Sequence, residues 1–409
     1  MSDPACRWPL ASLEDLERIT PRDLEAARGI AAGVLALREW RDRQELDPRT
    51  DLPAGNWAAD NEANDFMDAH RHVAACSFEA IDNLRYFTNT LTGHKLIHFR
   101  PSRGLSSVMP LPPDVRGAIA GNIHRVLPFV DQYMRLRDLL PEELLIRPVR
   151  KMGEVGVDVD GVIVNQDTVR QQLTINALWR LGILGFLRRR VAERGTAHVV
   201  EVGGGYGSLC YHLKRILPQV TYTIIDLPET LLFSGIYLSI AAPGWRPTLA
   251  TPDGPPAQAP GSVSLVPNFQ LAQALSALPG VDLGINISSF GEMMPEQVEG
   301  YGRGLSQAMA GGGLLFECNE AGRPHIKANA LAILARHFEH NEPAVLDGFP
   351  QYDGYPMLHA RQPLATMLTP PPPPRPLGRL AWLWRRLRAR PLSHLPGRIL
   401  GGVRRLIGC

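Results

Sequence analysis

Lysine is nearly missing from this chain: only Lys95, Lys151, Lys214 and Lys327 stand among 43 basic residues, so the positive charge is almost all arginine. Together with 36 prolines and 38 glycines, this reads as coding bias rather than chemistry. Cysteine is sparse and unpaired in pattern. Cys6, Cys76, Cys210, Cys318 and Cys409 are odd in number and form no CxxC, which excludes a disulfide frame or a zinc site and predicts reduced, mostly buried thiols in a cytosolic protein. No run of 18 apolar residues is present, so no spanning helix is expected. The opening MSDPACRWPLAS has neither a basic nor an apolar signal region, so no secretory leader is expected. Acidic residues stop at Asp353, whereas nine arginines fall within residues 375–409. The rest of the chain is net acidic, and the basic end is electrostatically distinct from it.

At 409 residues, with 44% hydrophobic and 21% charged, the chain is long enough for two domains and an appendage, and far from the composition of a disordered protein. We expect a helical domain over 1–150, an α/β domain over 151–368, and a proline-rich spacer with a basic tail over 369–409. Thr20-Pro21 with Asp23 predicts a helix start, followed by Leu24, Ala27, Ile30 and Val34 on one face. Helices are also expected over 64–91, over 115–140 with Pro128 kinking it, and over 171–190. GEVGVDVDGVIVN (153–165) predicts a small hairpin. From His198 onward, short apolar runs alternate with helical stretches: 198–202, 220–225, 262–266, 281–287 and 314–317 are strand candidates, with 357–361 as a last one. Strands apolar on both faces imply a doubly wound, mostly parallel, Rossmann-like sheet covered on both sides. Residues 243–261 read as a surface loop.

The most informative stretch is Val199-Val200-Glu201-Val202-Gly203-Gly204-Gly205-Tyr206-Gly207, a strand entering a glycine loop before a helix near Ser208. A dinucleotide fingerprint would need glycine where Ser208 stands, and a phosphate-cradling loop would need GKS or GKT. What remains is E-x-G-x-G-x-G, which closely resembles the nucleotide loop of class I S-adenosylmethionine (SAM) methyltransferases. The plainer alternative is a glycine-rich turn in another α/β fold. Asp226 closes the next strand, 25 residues after Glu201, in Asp226-Leu227-Pro228-Glu229. An acid there is placed to grip a ribose diol, or only to cap the following helix. The third strand ends Pro267-Asn268-Phe269, and the fourth exits through Asn286-Ile287-Ser288-Ser289-Phe290-Gly291-Glu292.

Together with GEVG and NQDT before the glycine loop, these motifs resemble the sugar O-methyltransferase family found in bacterial saccharide and antibiotic gene clusters, over about 140–361. The resemblance implies SAM as cofactor. It implies a SAM site made by Glu201, Gly203, Gly205, Tyr206, Gly207, Asp226, Leu227, Asn268, Phe269, Asn286 and Ser288, with Asn268 at the adenine amino group and Phe269 stacking on the base. The implied reaction is methylation of a sugar hydroxyl, in which a general base is worth about 10²–10⁴-fold. His325 and Glu292 are the candidate catalytic residues. His359 reads as structural, and His94 and His98 as loop residues. No tight cluster of metal ligands is visible, so no essential metal is expected. Asp-Leu-Pro after the second strand also resembles phenolic O-methyltransferases, so a non-sugar natural product is the alternative acceptor. A non-catalytic, membrane-associated scaffold retaining the fold is a further alternative. In the tail, Leu377, Leu380, Leu383, Trp384 and Leu387 share a face opposite Arg379, Arg385 and Arg386. That face can pack on the protein's own body or lie on an anionic membrane surface, with nucleic acid or another partner the least favoured reading. The expected location is cytoplasmic, with the tail offering attachment to the inner face of the membrane.

Overall fold

The computed structural model describes residues 8–53, 57, 66–87, 114–121, 123–319, 328–344 and 355–372. His94, His98, His325 and the basic tail lie outside the described residues. Residues Leu10–Pro371 form one compact unit. Strand β1 (Leu10–Ala11) precedes helix α1 (Pro21–Arg41). The start of α1 follows its sequence: Asp23 N donates to Thr20 Oγ1 (3.2 Å), and Thr20 N donates to Asp23 Oδ2 (2.8 Å), a reciprocal cap. The helix expected over 64–91 is instead three: α2 (Phe66–Ala74), α3 (Phe78–Asp82) and α4 (Leu84–Phe87). Ser77 interrupts it, because its hydroxyl accepts from Ala80 N (3.0 Å) and starts a new helix there.

Helices α5 (Val115–Gly121) and α6 (Ile123–Leu139) follow, with Pro128 inside α6. The expected hairpin forms from β2 (Gly156–Val159) and β3 (Val162–Val164), and β1 pairs antiparallel with β2. The single helix expected over 171–190 is α7 (Gln166–Arg180) and α8 (Ile183–Arg194). Gly182 divides them at φ +81°, where a Cβ would fall 2.7 Å from the Thr369 carbonyl.

The remaining elements alternate: β4 (His198–Val202), α9 (Ser208–Ile216), β5 (Thr221–Asp226), α10 (Pro228–Ala241), β6 (Thr248–Leu249), β7 (Val263–Pro267), α11 (Leu271–Ser276), β8 (Leu283–Ile287), α12 (Pro295–Ala308), β9 (Leu314–Asn319), α13 (Ala330–Leu334), β10 (His340–Pro343) and β11 (Tyr355–Ala360). The fold is therefore α/β. One eight-stranded sheet runs β10-β11-β9-β8-β4-β5-β7-β6, parallel from β9 through β6, with β11 antiparallel to β9 and to β10. Strands β6 and β10 were not expected. Each pairs along one edge only and carries no apolar alternation, so burial leaves no trace in their sequence. The central strands are the opposite case, with Val200, Val202, Ile225, Val266 and Leu315 fully buried.

Chain order reverses at β4, which has β5 on one side and β8 on the other. In open α/β sheets the crevice beyond the strands' carboxyl ends at such a reversal is where ligands bind. Among the described residues, no helix is long and apolar enough to cross a membrane.

Candidate functional site

The loop after β4 is held tightly on one side and left open on the other. Gly203 (φ +77°) donates its N–H to Ile225 O (2.9 Å), and a Cβ at this position would fall 2.1 Å from Ser289 Oγ. Gly205 (φ +56°) is the reverse case: nothing lies within 4 Å of where its Cβ would be. Gly207 (φ +84°) starts α9. The loop is tied to the next strand by a carboxylate. Gly205 N donates to Asp226 Oδ2 (3.1 Å), and Leu227 N donates to Oδ1 (2.8 Å). The Thr230 hydroxyl is a third donor to this carboxylate, which leaves it one further acceptor position.

Two adjoining cavities open over this loop. The larger, about 210 Å³, is bounded on the sheet side by Gly203, Gly205, Asp226, Leu227, Asn268 and Ser288. Trp57, Glu292, Met293 and Tyr301 bound it elsewhere. The smaller, about 80 Å³, meets Glu201, Asp167 and Ser208. Arg170, Gly203, Gly205 and Ile287 line both.

Two of the carboxyl groups lining these cavities, Glu201 and Asp226, hold their protons more tightly than usual. Burial raises the Glu201 carboxyl to about 7, against the hydrogen bond it accepts from Tyr222 Oη (2.9 Å), and the nearby Asp226 charge adds to the rise. Burial likewise raises Asp226 to about 7, although the N–H groups of Leu227 and Gly205 and the Thr230 hydroxyl favour its ionised form.

The residues singled out from sequence divide by where they point. Gly203, Gly205, Asp226, Leu227, Asn268, Ser288 and Glu292 meet the larger cavity, and Glu201 and Tyr206 the smaller. Tyr206, however, is buried and gives its hydroxyl to Asp167, with the Arg85 guanidinium 4.7 Å above its ring. Phe269 packs on Trp40 of α1, ring centroids 5.3 Å apart, and is not among the cavity walls. Asn286 is fully buried. It donates to Val202 O (2.9 Å) and Ser289 Oγ (2.5 Å) and accepts from Phe290 N (3.2 Å) and Asn319 Nδ2 (2.9 Å), so it braces the exits of β4, β8 and β9. Asn268 Nδ2 donates to Asp51 O (2.7 Å), while its buried Oδ1 has no hydrogen-bond partner. Glu292 Oε2 accepts from Trp57 Nε1 (2.6 Å). His359 is buried in β11, with Nδ1 2.6 Å from Asn341 Oδ1.

Three contributors were not visible in the sequence reading. Arg170, on α7, reaches Ser288 Oγ (2.8 Å), and Ser288 itself sits at φ +65°. Trp57 arrives from the N-terminal segment, whose neighbouring residues are strapped down: Gln297 Nε2 donates to Leu52 O (2.8 Å). Behind the loop, fully buried Arg85 pairs with Glu154 and with Asp167 (3.1 Å), and Asn165 Nδ2 donates to Glu154 Oε1 (2.5 Å). The GEVG and NQDT motifs thus meet in an ionic cluster that supports the loop from beneath. Among the described residues, no group of three His, Cys, Asp or Glu is placed to hold a metal ion.

No family model and no curated protein matches the sequence. Among solved structures, the chain is similar to the bifunctional kinase-methyltransferase WbdD, at 14% identity and a TM-score of 0.30 over 47% of this chain and 39% of that one. It therefore spans less than half the length of WbdD. It is similar to the SAM-dependent methyltransferase SibL in its apo form, at 14% identity and a TM-score of 0.31 over 83% of this chain and 96% of that one. It is also similar to magnesium protoporphyrin IX methyltransferase from Synechocystis PCC 6803 with bound SAM, at 14% identity and a TM-score of 0.30 over 48% of this chain and 81% of that one.

Proposed function

We propose that this chain is a SAM-dependent O-methyltransferase acting on a sugar hydroxyl of a saccharide or glycosylated metabolite. The observation that carries the reading is Asp226. Its carboxylate closes β5 at the sheet's reversal point, is fixed by two backbone N–H groups, and faces a cavity beside a glycine with open space. A nucleoside with a ribose diol, an amino group and a sulfonium suits such a crevice. The free acceptor position of Asp226 would take one ribose hydroxyl as a charge-assisted bond, and the second hydroxyl would replace that of Thr230. Glu201 would face the cationic end, and the unpartnered Asn268 Oδ1 would accept from the adenine amino group. Arg170 would hold the carboxylate of the amino-acid moiety from the α7 side.

When bound, SAM supplies a methyl group on a sulfonium leaving group, which needs little covalent assistance from protein. The chain's own contribution is orientation and proton removal. With Glu292 Oε2 engaged by the Trp57 indole, we assign Oε1 to accept the proton of the acceptor hydroxyl. His325 stays a second candidate base by its place in the sequence. Trp57, Met293 and Tyr301 give the acceptor side apolar walls. These walls favour the ring face of a sugar and equally support a second reading, a phenolic natural product as acceptor.

The test is calorimetry with S-adenosylhomocysteine, followed by a screen of nucleotide sugars and glycans against phenols with SAM consumption as readout. Binding together with turnover on the saccharide arm supports the proposal. Turnover on phenols alone moves the acceptor to the second reading, and a protein that binds neither SAM nor its product is the non-catalytic scaffold.

A further inference from the structure

A third cavity, about 430 Å³, lies between α1 and α2, with Leu232 of α10 at its floor. Its lining divides by chemistry. Ala31, Val34, Leu35, Ala74 and Leu232 make an apolar side, and Leu35 is 55% exposed. Arg28, Arg38 and Arg71 make a basic side. Between them stands His70, 97% buried by its 3% exposure, with neither Nδ1 nor Nε2 in a hydrogen bond. Its ring meets Phe233 edge-on, centroids 6.4 Å apart, a contact that satisfies neither nitrogen. A buried imidazole with both nitrogens unmatched is costly and unusual in a native interior.

The surrounding charge states what would match it. Glu229, at the start of α10, is already shared by Arg38 (2.9 Å) and Arg41 (3.0 Å). Arg28 therefore adds its charge to a pocket where, among the described residues, Glu229 already serves two guanidinium groups. Consistent with this, burial first and the Arg38 charge next push the His70 imidazole down to about 4, against the opposing pull of Glu229. A cation is unwelcome there, and an anion is favoured.

We propose that this cavity binds an amphiphilic anion, a phosphate or carboxylate head on a short apolar chain, with His70 and the flanking arginines on the head and Val34, Leu35 and Leu232 along the chain. The head would accept from a ring N–H of His70 and from guanidinium groups, which are geometrically suited to both oxyanions. The apolar half of the lining would take methylenes, each worth roughly fourfold in affinity when fully buried. The site is independent of the reading given to the crevice over Gly205.

Calorimetry on the full chain at 150 mM salt tests it with four probes: hexyl phosphate, hexanoate, inorganic phosphate and hexanol. Saturable binding of hexyl phosphate or hexanoate is expected, tighter than inorganic phosphate by roughly fourfold for each methylene the cavity takes, with hexanol far weaker. His70→Leu and Arg28→Ala should each weaken the anion by tenfold or more. Arg28 is exposed, so its removal should leave Tm unchanged, and loss of the unmatched imidazole in His70→Leu should raise Tm of the unliganded protein. The proposal is overturned by silence with both amphiphiles, by hexanol binding as tightly as hexyl phosphate, or by both variants binding like the unaltered chain. Nonspecific uptake by the arginine-rich tail would give that last result.

Discussion

Gly203 and Gly205 lie two positions apart in one loop, both at positive φ, and the structure assigns them opposite sensitivities. Replacing Gly205 by alanine incurs the left-handed penalty of about 1–2 kcal/mol. Part of that is offset by about 0.4–1 kcal/mol from stiffening the unfolded chain. Since nothing lies within 4 Å of the new methyl, no further packing cost follows, and Gly205→Ala should lose about 1 kcal/mol of stability. Its methyl enters the cavity where we place the ligand, so affinity for S-adenosylhomocysteine should fall tenfold or more.

Gly203→Ala carries the same backbone penalty and sets a methyl 2.1 Å from Ser289 Oγ. That hydroxyl bonds Val202 O (3.2 Å) and Asn286 Nδ2 (2.5 Å), so moving it breaks bonds worth about 0.5–1.5 kcal/mol each. The total for Gly203→Ala is about 2–4 kcal/mol. Urea denaturation measures the first quantity and calorimetry the second. The reasoning fails if Gly205→Ala binds the ligand like the unaltered protein, or if Gly203→Ala proves no less stable than Gly205→Ala.

Four further outcomes follow from the same geometry, and a fifth from the sequence of the tail. The crevice acids titrate near 7 in the folded state, above ordinary values of 4.5 for Glu201 and 3.8 for Asp226. Their contribution to stability is therefore fully present below those ordinary values and is lost as pH rises through about 7, which urea titrations at pH 5 and pH 8 will show. A ligand that needs Asp226 ionised should bind about tenfold more weakly for each pH unit below 7, and calorimetry across pH 5.5–8 that finds a flat profile contradicts this. Glu292→Gln should lower kcat about 10²–10⁴-fold with product affinity unchanged, and a normal rate would exclude Glu292 as the base. Arg170→Ala should weaken S-adenosylhomocysteine by about 10–100-fold, yet leave a decarboxylated analogue nearly unaffected, since only the former carries the group Arg170 is assigned to hold. Co-sedimentation with anionic liposomes, lost on deleting residues 375–409, is the expected behaviour of a basic amphipathic tail that lies on membranes.

What the sequence revealed follows from which forces act along the chain and which act across it. The five central strands were legible because burial on both faces demands runs dominated by apolar residues, as in Val199-Val200-Glu201-Val202 and Leu314-Leu315-Phe316. Gly203, Gly205 and Asp226 were legible because a sharp loop and a strand-end acid are local features. Strand β10, His340-Asn341-Glu342-Pro343, carried no such mark because it is an edge held by its neighbour's backbone. Arg170 was invisible because its role depends on where α7 packs, a relation between residues 118 positions apart. Tyr206 shows the same effect in reverse. It stands in the glycine loop and meets the smaller cavity, but Asp167 takes its hydroxyl, and nothing in GGGYG discloses that. Phe269 is likewise claimed by Trp40, which belongs to a helix more than two hundred residues earlier.

A crystal structure of the full chain with S-adenosylhomocysteine tests the central assignment most directly. The account predicts both ribose hydroxyls on the Asp226 carboxylate, the backbone of Gly205 against the ligand, and the Arg170 guanidinium on its carboxylate. A ligand found elsewhere, or an Asp226 carboxylate turned away from the ribose, would contradict it.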